Sequence, residues 1–82
     1  MDINQAAQKV EEFLAGYAGH GGKKAKEIRV RPSGDDANEI KVWVDLGGGV
    51  TDHACEEWAA QCTKDAAASA GSFQLHIRAE SL

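Results

Sequence analysis

Apolar and polar residues alternate along three stretches of the chain and recur at helical spacing along two others. Ile28 and Val30, then Ile40, Val42, Val44 and Leu46, then Phe73, Leu75 and Ile77 occupy every second position. In extended backbone this places them together on one side of a sheet. Ile3, Ala6, Ala7, Val10, Phe13, Leu14 and Tyr17 recur instead at three- and four-residue intervals, which predicts an amphipathic helix from about Ile3 to Ala18. Asp2 followed by Gln5 has the form of a capping box, and Gly19, His20, Gly21 and Gly22 are expected to end that helix. A second helix is predicted from Thr51 or Asp52, as cap, to about Ala70, where Gly71 stops it. Its buried stripe is Ala54, Cys55, Trp58, Cys62 and Ala66, with Ala59 beside them.

The breaks in the pattern supply the connections. Lys23, Lys24 and Lys26 are expected in a mobile basic connector. The turn formers from Pro32 to Asn38 join strands near 27–32 and 39–46 into a hairpin. Two registers suit it: Arg31 opposite Glu39, or a shift by two that sets Arg29 opposite Trp43 for a cation–π contact. The last strand runs from about Ser72 to Glu80. The expected fold is one α+β domain over residues 1–82, a two-layer sandwich in α-β-β-α-β order with both helices on the apolar face of a three-stranded sheet. Strand order 2-1-3, fully antiparallel, is preferred over 1-2-3, mixed.

Composition narrows the functions this fold could carry. Nine Lys and Arg stand against thirteen Asp and Glu, a net charge of −4, which disfavours indiscriminate binding to phosphate backbones. No apolar run approaches the roughly 20 residues that span a bilayer. No basic segment leads into an apolar one at the N-terminus, so a cytoplasmic protein with no membrane partner is expected. Cys55 and Cys62 lie about 10.5 Å apart along a helix axis, too far for a disulfide, and are expected as free thiols in a reducing compartment. The spacing of His53, Cys55 and Cys62 does not suit zinc. No metal, cofactor or catalytic residue is expected.

The candidate chemistry lies on the polar side of the sheet. Arg29, Arg31, Lys41, Trp43, His76 and Arg78 share one strand parity and form the predicted partner-binding surface. Glu27, Glu39, Asp45 and Glu80 have the same parity, so a solvated face with cross-strand ion pairs also accounts for the charges. Such a face explains Trp43 least well, because Trp and Arg together are enriched where proteins meet. Two further uses are open. Single-stranded nucleic acid could stack on Trp43 with its phosphates on the basic residues. A small ribonuclease could use His76 as acid, Glu27 or Asp45 as base, and Arg31 or Arg78 as the transition-state clamp. A second candidate surface is acidic: Glu11, Glu12, Glu56, Glu57 and Asp65 on the outer faces of the helices.

The run from Val44 to Asp52, with Asp45, a glycine triplet, Thr51 and Asp52, is similar to the second phosphate motif of actin-like ATPases. That family encloses its nucleotide between two large lobes, and its motif continues into a strand. Here a helix is predicted to follow, so the glycines are expected to serve the strand-to-helix turn. In size, acidity and lack of a catalytic motif the chain resembles phage-encoded inhibitors such as anti-CRISPR proteins. The expectation is a non-enzymatic protein–protein interaction domain, an inhibitor or adaptor of phage or mobile-element type acting on a nucleic-acid-processing complex. A homodimer formed through the open face or an edge strand is also anticipated.

Overall fold

A computed structural model describes residues 2–33 and 38–82. The centre of the predicted hairpin turn, Gly34 to Ala37, lies outside the described residues. Helix α1 spans Ile3–Ala15. The capping box forms: the Asp2 carboxylate accepts from the Gln5 N–H at 2.9 Å, and the Gln5 side-chain oxygen accepts from the Asp2 N–H at 3.0 Å. The helix stops short of the expected Ala18, because Gly16 caps it by donating its N–H to the Leu14 carbonyl. Apolar spacing extended the prediction too far, since Tyr17 still reaches the core from beyond the helix end.

Strands β1 (Glu27–Pro32), β2 (Glu39–Asp45) and β3 (Gln74–Glu80) form the sheet, and helix α2 (Asp52–Ala70) connects β2 to β3. Thr51 caps α2 by accepting from the Ala54 N–H at 3.1 Å. The strand order is β1-β2-β3, with β1 antiparallel and β3 parallel to β2. This corrects the preferred antiparallel 2-1-3 arrangement in favour of the mixed alternative. The physical reason is Pro32. Ser33 donates its N–H to the Glu39 carbonyl at 2.9 Å, so alternation along β1 turns the main chain of Ile28, Val30 and Pro32 away from β2. A third strand on that side would meet a residue with no N–H to give, and proline is confined to edge strands or bulges.

The core lies between the sheet and the helices. Ala6, Val10 and Leu14 of α1 meet Val30, Ile40, Val42 and Val44 of the sheet and Cys55, Trp58 and Cys62 of α2. Helix α1 packs chiefly on β1 and α2, and α2 on β3. Cys55 and Cys62 are buried and unbridged. Trp58, the largest buried side chain, donates its indole N–H to the Lys23 carbonyl at 2.9 Å. The basic connector is thus pinned at a defined point, with a 3₁₀ turn at His20–Gly22 and a β-bridge between Ala18 and Lys24. No helix among the described residues is long and apolar enough to cross a membrane.

Candidate functional site

Register decides what stands beside what on the polar face. Of the two hairpin pairings, the structure adopts Arg29 opposite Trp43, with Arg31 opposite Lys41 and Glu27 opposite Asp45. On the other side of β2, Lys41 pairs with His76, Trp43 with Arg78 and Asp45 with Glu80. Three rungs therefore cross the sheet: acidic (Glu27, Asp45, Glu80), mixed (Arg29, Trp43, Arg78) and basic (Arg31, Lys41, His76). Because β2 is central, Trp43 and Lys41 occupy the middle of the face, where the antiparallel order had placed Arg29 and Arg31.

The acidic and mixed rungs are joined by a chain of contacts. Arg29 lies over the Trp43 ring, its guanidinium carbon 5.4 Å from the ring centroid, and pairs with Glu27 at 3.5 Å. The Trp43 indole N–H donates to Glu80 at 2.8 Å, and the other Glu80 oxygen pairs with Arg78 at 2.9 Å. Trp43 is in consequence half-buried, packed laterally among its neighbours; it does not stand clear of the face as the alternation alone suggested. Asp45, 7% exposed, is turned into the structure and accepts from the Gly47 N–H at 2.7 Å.

The basic rung shows no such compensation among the described residues. Among the described residues, no ion pair joins Arg31, Lys41 or His76 to an acid; Arg31 donates to the Val30 carbonyl at 2.8 Å. All three side chains are exposed. Like charges directly opposite one another weaken a sheet, so Arg31 against Lys41 is unfavourable as it stands. The predicted residues Arg29, Arg31, Lys41, Trp43, His76 and Arg78 together line one open concavity of about 530 Å³, and no acid among the described residues is in its lining.

Other candidate groupings are dispersed. His76 sits two rungs from Glu27 and Asp45, about 13 Å along the strands, and Asp45 is already engaged with Gly47. The acidic residues of the helices also divide. Asp65 accepts from the Tyr17 hydroxyl at 2.5 Å and from Gln61 at 3.0 Å, Glu57 contacts His53 at 2.7 Å, and Glu12 accepts from Gln8 at 3.4 Å. Glu56 lines a separate groove beside β3, and Glu11 is exposed on α1.

One residue with a clear role carried no signal in the sequence. The Ser81 hydroxyl accepts from the Val50 N–H at 3.1 Å and donates to the Gly47 carbonyl at 2.6 Å. With Asp45 it ties down the loop that resembles a phosphate motif, in which Gly47 and Gly49 adopt positive φ angles. That loop is therefore held by the carboxylate at its start and by a hydroxyl from the chain beyond β3. No protein-family model, no curated protein and no solved structure matches this chain.

Proposed function

We propose that this chain is a non-enzymatic interaction domain, an inhibitor or adaptor, whose sheet face docks an acidic segment of a partner protein. The observation that supports this reading is the basic rung Arg31–Lys41–His76, which has no ion pair to an acid among the described residues, within a concavity lined by two further arginines. In a chain of net charge −4, such a rung lowers fold stability unless an anionic group answers it. Carboxylates of a partner would supply that group, and arginine is suited to hold them in bidentate pairs. The indole of Trp43, with Arg29 over it and Glu80 on its N–H, holds the neighbouring arginine in place beside the charges. A nucleic-acid strand finds less support: Trp43 is the one large ring on the face, and Arg29 already lies over it, so little ring is left for a base to stack on.

A titration read by tryptophan emission tests the reading, with a short poly-glutamate peptide and a short oligothymidylate as probes at low and physiological salt. The wild type is expected to bind the peptide, more weakly as salt rises. Lys41→Glu is expected to abolish that binding while raising fold stability by about 0.2–1 kcal/mol, because it converts a like-charge pair into a salt-bridged one. Oligothymidylate binding without peptide binding would replace this reading with the nucleic-acid one. Binding of both probes unchanged by Lys41→Glu would remove the sheet face from consideration.

A further inference from the structure

The two edges of the sheet are treated differently. On β1 the outward carbonyl of Val30 is taken by the Arg31 guanidinium at 2.8 Å, and Pro32 offers no N–H. Both are ways in which edge strands avoid pairing with other chains. On β3 no such device is present. Leu46 donates its N–H to the Glu80 carbonyl and Gln74 donates to the Asn38 carbonyl, so in this parallel ladder the even-numbered residues of β3 face β2. The N–H and C=O groups of Leu75, Ile77 and Ala79 then point outward, and none of them bonds to another described residue. The strand has seven residues and contains no proline.

The side chains along this edge are also incompletely covered. Leu75, Ile77 and Ala79 lie on the apolar side of the sheet but are only half-buried, whereas Ile40, Val42 and Val44 of the central strand are fully enclosed. Beside them runs a groove of about 520 Å³ between β3 and the first half of α2. Ala59 forms part of its helical wall, and its small side chain leaves the strand edge accessible.

We infer that β3 pairs with β3 of a second copy of this chain, antiparallel about a two-fold axis at Ile77, to make one continuous six-stranded sheet. The sequence of β3 is self-complementary in that register. Ile77 faces its counterpart, the larger Leu75 faces the smaller Ala79 of the partner copy, and the Gln74 amide faces the partner copy's Glu80. His76 comes opposite the partner copy's Arg78, whose charge is balanced by its own Glu80 at 2.9 Å. The outward groups of Leu75, Ile77 and Ala79 then meet in roughly six backbone hydrogen bonds between the copies, with no free outward group left between them. The half-buried apolar side chains become covered, which matters in a chain of 82 residues whose core is small. This inference does not rest on the acidic-segment reading, although His76 and Arg78 of the concavity lie along the seam.

The test is sedimentation equilibrium over a wide range of protein concentration, with amide hydrogen exchange of the same samples read residue by residue. The expected result is a reversible dimer in which the amides of Leu75, Ile77 and Ala79 exchange slowly and become fast on dilution. Ala79→Pro, which removes an outward N–H, is expected to give a folded monomer, and circular dichroism checks the fold. Ile77→Lys, which puts a charge on the axis, serves as a second variant should the proline disturb the strand. A chain that stays monomeric at every concentration overturns the inference. So does a dimer in which these amides remain fast, or one that persists in both folded variants.

Discussion

Gly19 shows how a single position can be fixed by what it must not carry. A methyl group at its Cα would sit 2.5 Å from the Trp58 indole nitrogen and 2.9 Å from two of its ring carbons. Trp58 cannot retreat, being 2% exposed and held through its N–H by the Lys23 carbonyl. Gly19→Ala is therefore expected to destabilise the protein by about 1–3 kcal/mol, the usual cost of overpacking, as measured by urea denaturation. Gly16→Ala, with open space around it, is the matched control and is expected to change stability far less. Trp43 illustrates the opposite situation, a large ring on the polar side whose surroundings are adjustable polar groups. Parity alone was enough to group Trp43 with Arg29, Arg31, Lys41, His76 and Arg78, because the side-chain period of a strand is two. Parity could not reveal that Glu80 holds the indole N–H or that Asp45 turns inward. The first depends on which strands are neighbours and in what register, and the second on the turn that brings the Gly47 N–H back to the Asp45 carboxylate.

Among the elements, helices and strands announce themselves through their periods, and both helices and all three strands lie close to where the pattern put them. Strand order was harder to read, because two arrangements bury the same apolar residues. The deciding signal was present in Pro32, yet it becomes informative only once the hairpin register fixes which way that residue faces. The loop between β2 and α2 was legible as a turn, but its fastening by Ser81 joins residues more than thirty positions apart and leaves no local trace. Helix α2 begins at that loop, and Thr51 accepts the Ala54 N–H at its first turn. Thr51→Ala is expected to cost about 1 kcal/mol. The loss should appear in denaturation midpoints with an unchanged denaturant slope, since the helix shortens little while the surface exposed on unfolding stays the same.

For the molecule as a whole, three ionisable groups in and beside the core, Tyr17, Cys55 and Cys62, are expected to lower stability at alkaline pH. Burial, aided by the charge of Asp65, pushes the Cys62 thiol up from 9.0 to about 12. Burial and the hydrogen bond to Asp65 likewise raise Tyr17, and burial raises Cys55. The unfolded chain gives up these protons at lower pH than the folded one, so it binds fewer protons across that interval. Stability is accordingly expected to be full below about pH 9 and to fall as pH climbs from about 9 towards 12. Urea midpoints measured across that range check the sign; Cys62→Ala, which removes this raised thiol, should flatten the decline. The same burial predicts that Cys62, fully enclosed, does not react with an alkylating reagent until the protein unfolds.

The guarded rim of β1 has a consequence for how far this protein can assemble. A sheet with two open borders is a monomer unit for fibres, because each addition exposes another border like the one it covered. Here proline and a folded-back guanidinium obstruct one border. Joining two chains along the other border leaves obstructed borders at both ends, so growth terminates at two and the product is finite by construction. A small domain can in this way gain burial from a copy of itself without becoming a template for aggregation.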